Sequence, residues 1–255
     1  MRKNQNLNLV AFIVSELEIF MNYKMLYENW VSNPLLCAEG LNELSSIAND
    51  EKQIEYRFGA ELAFGTAGMW GLIGYGTNMM NIYTVRRATK GLADYVIGLG
   101  SKAMAKGVVI SYDTRRYSNT FAMAAAGVLI ANGIKVYMYS EPRPVPMLSY
   151  AVRKLKTVAG IMITASHNPK EYNGYKVYGE DGAQMSPEAT AVVVENIKKV
   201  KDYFTINTVD VTSASQMSAI ELISKRFERG YYSIVRKQGL SKKAVKAMGK
   251  KLKIV

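Results

Sequence analysis

The chain has 255 residues and is 49% apolar, enough to bury one or two cores. Cys37 is its only cysteine, which excludes an internal disulfide and suits a reducing compartment; no run of 18 apolar residues is present, which excludes a membrane-spanning helix of ordinary composition. The formal charge of +12 is concentrated at the end: eleven Lys or Arg and two Glu follow residue 220, leaving about +3 for everything before. No aromatic-interleaved RNA motif or helix-turn-helix pattern accompanies that charge, so it reads as a polar helix face rather than a nucleic-acid surface.

In chain order, Met1-Arg2-Lys3 followed by Leu7 to Phe20 mimics a signal peptide, but Glu16 and Glu18 interrupt the apolar stretch and no small-x-small cleavage site follows. An amphipathic helix, or a segment upstream of the true start, is expected there. Residues 22–57 are expected to be helical, because Trp30, Leu35, Leu36, Leu41, Leu44 and Ile47 recur at mostly helical intervals, with Pro34 near a helix start. From Glu61 short apolar runs alternate with Gly65, Gly68, Gly71, Gly74 and Gly76, which predicts tight hairpins, one of them antiparallel near residues 64–76. Ile82 to Ile97 reads as a helix capped by Asn81 and ended by Gly98 and Gly100.

Strand and helix then alternate. Gly107 to Tyr112 reads as a buried strand, and Ser118 as the cap of an alanine-rich helix stopping at Gly133. Ile134 to Tyr139 is the next strand, followed by a stiff Pro142-Pro144-Pro146 connector and a helix over about Met147 to Leu155. Thr157 to Ile163 is a strand, and Ser186-Pro187-Glu188 opens a helix running to about Lys201. Residues 205–215 are short and polar and read as a linker. One or two helices over Ala219 to Lys250 and a strand from Lys251 to Val255 complete the reading. This alternation predicts an α/β fold: a three-layer α/β/α sandwich with a mixed, mostly parallel sheet, preceded by a helical N-terminal extension.

The chemistry points to Gly160–Gly179. The apolar run Ile161 to Ile163 ends in Thr164-Ala165-Ser166-His167-Asn168-Pro169, which holds a hydroxyl and the only histidine of the chain. A second turn, Tyr172-Asn173-Gly174, leads into Tyr175-Lys176-Val177. A buried strand ending this way delivers a reactive hydroxyl to a cleft. Adjacent Ser and His do not make a hydrolase triad, which needs a base aimed at the nucleophile and a third group orienting it. Lys176 can supply positive charge or a base, and Arg115, after Asp113-Thr114, can form a fork to phosphate oxygens. The glycine-rich stretch lacks the Lys-Ser/Thr of a P-loop and does not open a helix.

Five blocks resemble the α-D-phosphohexomutases (the phosphoglucomutase and phosphomannomutase family), in order and at about that family's spacing. They are Phe64 to Gly71, Gly76 to Ala88, Ile110 to Arg115, Pro142 to Pro146, and the serine block itself. The resemblance covers roughly residues 24–255 and is closest to the branch acting on glucose phosphates. Because it begins there, Met21 and Met25 are alternative starts to Met1. It implies Ser166, His167 and Lys176 as catalytic residues, Ser166 being the phosphoryl carrier, and Arg115, Thr66, Asn168 and Asn173 as phosphate and substrate ligands. It also implies magnesium, bound to Ser166 through its phosphate, glucose 1,6-bisphosphate as activator, a sugar-phosphate substrate, and a cytoplasmic setting without nucleic-acid or membrane partners.

The departures carry information too. The family has arginine where Trp70 stands and commonly another at Met79. A neutral ring cannot replace a guanidinium fork. The aspartate-rich metal loop of the second domain has no counterpart. The expectation is therefore a helical extension (1–57), domain I with the serine loop (58–204), and a linker with the truncated start of domain II (205–255), weakly active or inactive alone. The alternatives are a non-catalytic sugar-phosphate-binding remnant, or phosphopentomutase or phosphomannomutase specificity.

Overall fold

The computed structural model describes residues 23–65, 68–211 and 218–249, with 251 and 253. The expectations for residues 1–22, the ligand role of Thr66, part of the linker and the strand over Lys251–Val255 fall outside the described residues.

Three helices open the description: α1 (23–31), α2 (Ala38–Ser46) and α3 (Glu51–Phe58). Pro34 lies in the turn between α1 and α2, four residues before α2 begins rather than at its start. Asp50 caps α3 by accepting from the Gln53 amide at 3.1 Å. Tyr23, Trp30, Leu44, Ile54 and Phe58 turn inward onto Tyr75, Tyr83 and Tyr203. Trp30 sits at the middle, with ring centroids 5.6 Å from Phe58, 5.5 Å from Tyr83 and 5.1 Å from Phe204. The extension thus shares its core with the α/β layers instead of standing apart.

The six strands are β1 (Met69–Leu72), β2 (Val108–Tyr112), β3 (Val136–Met138), β4 (Ala159–Ile163), β5 (Tyr172–Gly179) and β6 (Ile220–Leu222), in sheet order β1-β5-β4-β2-β3-β6. β4, β2, β3 and β6 run parallel; β5 is antiparallel to β4, and β1 to β5. On one face lie α4 (Ile82–Gly98), α6 (Ser118–Ala131) and α8 (Pro187–Lys199). On the other lie α7 (Val145–Leu155) and α9 (Lys225–Lys237), around Val109, Tyr139, Met162 and Tyr178. Two short helices, α5 (Ser101–Lys106) and α10 (Lys242–Met248), complete the inventory of described elements. This is the expected three-layer α/β/α sandwich. Asn81 caps α4 through a reciprocal box with Thr84, and the Ser186 hydroxyl accepts from the Ala189 amide to cap α8.

The antiparallel hairpin expected near residues 64–76 is present as a bridge between Gly65 and Gly68, and β1 beyond it pairs with β5 a hundred residues on, Trp70 opposite Gly174. Three local readings change. α5, unforeseen, fills the connection to β2. Ser118 is the first helical residue of α6, not its cap: its hydroxyl donates to Asp113 Oδ1 at 2.7 Å, and Tyr117, at φ 62°, precedes the helix. Ile220–Leu222, read as helical, instead adds the outer strand beside β3, tied by Lys135 to Glu221 at 2.7 Å. Three residues are too few for a periodic signal.

Gly174 is where β5 meets the end of β4. A Cβ there would lie 2.6 Å from the Thr164 carbonyl oxygen and 3.0 Å from that of Met69. Gly174→Ala is expected to cost about 1–3 kcal/mol, the scale of overpacking, read as a lowered urea midpoint at unchanged slope. An unchanged midpoint would show that the backbone is not confined there.

Candidate active site

β4 is buried along its whole length, and Thr164 and Ala165 continue that burial. Parallel-sheet strands covered on both faces read as continuous apolar runs, which is why Ala159–Ile163 could be placed from sequence. At Ser166 the chain turns out of the sheet with φ 56°, a left-handed conformation that costs a non-glycine residue about 1–3 kcal/mol unless its surroundings hold it. The Thr164 hydroxyl accepts from the Ser166 amide at 3.0 Å, and the Ala165 carbonyl accepts from the Asn168 amide at 3.1 Å.

The main brace is Arg115. Its guanidinium donates to the carbonyl oxygens of Ser166 (3.0 Å), Asn168 (2.5 Å), Pro169 (2.8 Å) and Tyr172 (3.0 Å). Its Nε lies 3.6 Å from Asp113 Oδ2, while Asp113 Oδ1 accepts from the Arg115 amide at 2.9 Å. Asn173 is fully buried behind the loop. Its amide donates to the Arg116 carbonyl (2.9 Å) and the Ser118 hydroxyl (3.0 Å), and its oxygen accepts from the Gly174 amide (2.8 Å).

Arg115 and Asn173, expected as phosphate ligands, brace the loop and are not among the residues that line the pocket beside Ser166. The guanidinium is engaged by carbonyls, and the amide already has its partners. Asp113 and Ser118 belong to the same network, and sequence reasoning missed them. The signal was present as an aspartate and an arginine directly after the buried β2.

The exposed side of the loop faces an open pocket of about 250 Å³ lined by Trp70, Thr164, Ala165, Ser166, His167, Asn168 and Lys176. Four of the expected site residues therefore meet: Ser166, His167, Asn168 and Lys176. His167 Nδ1 lies 3.4 Å from Ser166 Oγ. Lys176 is half-buried on β5, opposite Met162, and pairs with no acid among the described residues. Trp70 turns toward the pocket, 52% exposed, whereas Met79 is buried at 3% and lies outside the lining. A second hollow of about 240 Å³ lies between the extension and α6, but its carboxylates are engaged. Glu43 pairs with Arg57, and Glu39 accepts from the Tyr75 and Tyr117 hydroxyls.

The arrangement suits an anion carried on a serine: a projecting hydroxyl, a nearby imidazole and an unpaired ammonium. It does not suit a divalent metal. Magnesium wants several oxygen ligands in tight octahedral geometry. The pocket contains no carboxylate, and no group of three or more His, Cys, Asp or Glu gathers among the described residues. The residues present do not fit a magnesium site.

Comparison with known proteins agrees with this geometry. Residues 61–204, more than half of the chain, match the profile described as phosphoglucomutase/phosphomannomutase, alpha/beta/alpha domain I. A phosphoglucomutase of Staphylococcus epidermidis is 44% identical over 174 residues, 68% of this chain and 31% of that protein. One of Staphylococcus haemolyticus is 46% identical over 153 residues, 60% of this chain and 27% of that protein. A crystal structure from Thermus thermophilus, assigned as a phosphomannomutase, superposes with a TM-score of 0.50 at 31% identity, covering 60% of this chain and 34% of that one. The chain thus spans about a third of the length of the curated relatives it matches.

Proposed function

The chain belongs to the phosphoglucomutase/phosphomannomutase family, and from that premise we propose that it is the serine-loop part of a hexose-phosphate mutase acting on glucose 1-phosphate and glucose 6-phosphate. Ser166 is the phosphoryl carrier. In the first half-reaction the bond from phosphorus to Ser166 Oγ breaks and a bond to the free sugar hydroxyl forms. That hydroxyl loses its proton, and Oγ gains one. The resulting bisphosphate returns its other phosphoryl group to Ser166 by the reverse chemistry. Little covalent work is asked of the protein beyond positioning and charge.

Lys176 supplies positive charge at the pocket wall, and His167, 3.4 Å from Oγ, is placed to hold or pass the proton. The observation that carries the reading is Ser166 itself, projected in a left-handed turn into the pocket that Lys176 lines. Glucose 1,6-bisphosphate is the expected activator, because it loads the serine. The same reading keeps a helical extension (1–57), a serine-loop domain (58–204) and a following segment (205–255) whose β6 joins the domain's sheet. The expected setting is the cytoplasm; among the described residues no helix is long and apolar enough to cross a membrane.

The test is incubation of the chain, or of a version extended to family length, with glucose 1,6-bisphosphate and phosphate mapping by mass spectrometry. Phosphate is expected on Ser166 and absent from Ser166→Ala. Phosphate on another residue, with Ser166 bare, would sink the assignment.

A second reading, a sugar-phosphate binder with little turnover, is favoured by Trp70 in the pocket where the resemblance places an arginine. A neutral indole cannot stabilise charge developing on a transferred phosphoryl group, and one preorganised donor is worth a few kcal/mol at such sites. Joined to the remaining domains of a close relative, the chain carrying Trp70→Arg is expected to convert glucose 1-phosphate at least about tenfold faster than the same chimera with Trp70. Equal rates would make this residue irrelevant to the chemistry.

A further inference from the structure

We infer that Trp70 is a stacking platform for the ring of a pyranose phosphate, so that residue 70 recognises the sugar's carbon face and not its phosphate. The inference rests on sugar-phosphate binding at the serine pocket, which both readings above share.

The chain has two tryptophans, and they are used in opposite ways. Trp30 is 3% exposed and packs against Phe58, Tyr83, Tyr203 and Phe204. Trp70 is 52% exposed and pairs with no ring or cation among the described residues. A single exposed apolar residue needs no explanation; its place does. Trp70 is anchored in β1, between Met69 paired with Tyr175 and Gly71 paired with Asn173. In an antiparallel pair the residue directly opposite normally packs on its neighbour. Here that residue is Gly174, which offers no side chain. The diagonal neighbours on the same sheet face are Tyr172 and Lys176, at a spacing of about 7–8 Å for such pairs, and of the two Lys176 lines the pocket. An uncovered indole and a cation therefore share one wall of the pocket that holds Ser166.

A pyranose in its chair form has faces of C–H bonds and a rim of hydroxyls. The C–H face suits the negative face of an indole, while the rim and the phosphate need polar partners. Ser166, Asn168 and Lys176 offer those across the same pocket. Inorganic phosphate has no carbon face, and an acyclic three-carbon phosphate has no ring. Both can meet Lys176 without meeting Trp70.

With 5-fluorotryptophan incorporated, the protein gives two fluorine resonances, assigned by Trp70→Phe. Titration with glucose 6-phosphate is expected to move the Trp70 resonance and leave Trp30 still. Inorganic phosphate and glycerol 3-phosphate at the same ionic strength are expected to move neither. Trp70→Ala is expected to weaken glucose 6-phosphate binding about two- to twelvefold, the span of one aromatic packing contact, and to leave inorganic phosphate binding unchanged. Glucose 6-phosphate binding that shifts the loop amides but not Trp70 would overturn the stacking and leave the proposed function standing. An equal shift with inorganic phosphate, or a Trp70 shift that follows protein dilution because a second copy covers the ring, would also overturn it. Failure of every sugar phosphate to bind would overturn the proposed function and the stacking together.

Discussion

Arg115→Ala is expected to lower stability by roughly 3 kcal/mol and to abolish phosphate loading at Ser166. Hydrogen bonds to a charged group contribute about 1.5–3 kcal/mol each, and Arg115 makes four to the loop's carbonyls. These bonds act as a unit and do not add, and relaxation of the left-handed Ser166 returns about 1–3 kcal/mol, so the net loss is well below the sum. Arg115→Lys should fall between the two, because a point charge cannot span four acceptors as a planar fork does. Urea unfolding measures the first effect. Phosphate mapping by mass spectrometry measures the second, and hydrogen exchange at the amides of Ser166, Asn168 and Tyr172, which reads the loop's order, should rise in both variants. Unchanged exchange in Arg115→Ala would mean that the loop holds itself.

A stability loss at least as large is expected from Glu228→Ala, at about 3–5 kcal/mol. Glu228 is 4% exposed at the start of α9 and receives a two-pronged contact from Arg143, Nε to Oε1 and Nη2 to Oε2, each 3.0 Å. Removing one partner leaves a part-buried guanidinium with the exposed Glu141 and the Pro142 carbonyl beside it. Replacing both Arg143 and Glu228 by apolar residues of similar volume should be far milder, because the desolvation cost disappears with the attraction. Helix α9 docks through this pair and through Phe227 and Tyr231 against Tyr150. Its amides should lose protection in Glu228→Ala while those of β4 keep theirs. If the double replacement costs as much as the single one, the effect lies in packing and not in a stranded charge. Lys225, and then Arg143, hold the Glu141 carboxyl below the usual carboxylate range. Its contribution is therefore present above that range and lost as pH falls through its lowered pKa.

The sequence by itself determined the elements whose cause is local. Val108–Tyr112 and Ala159–Ile163 are buried on both faces and appear as apolar runs. Asn81 and Ser186 cap helices within three residues of their own positions. The turn that exposes Ser166 follows from the chain leaving a buried strand through short polar residues, and the resemblance placed the same residue at the same point. Tertiary structure alone decided which strand β1 would choose and that Ile220–Leu222 would close the sheet's far edge. It also decided that the helical extension would share a core with Tyr83, and that Arg115 would grip carbonyls while Trp70 turned to the pocket. Caps, turns and periodicity are set by neighbours within one helical turn or a few strand residues. Pairing partners and the side a functional group faces depend on contacts dozens of residues away. Arg115 and Trp70 have the same amino-acid identity in either role. Only the position of Ser166, Tyr172 and Gly174 in space selects between them.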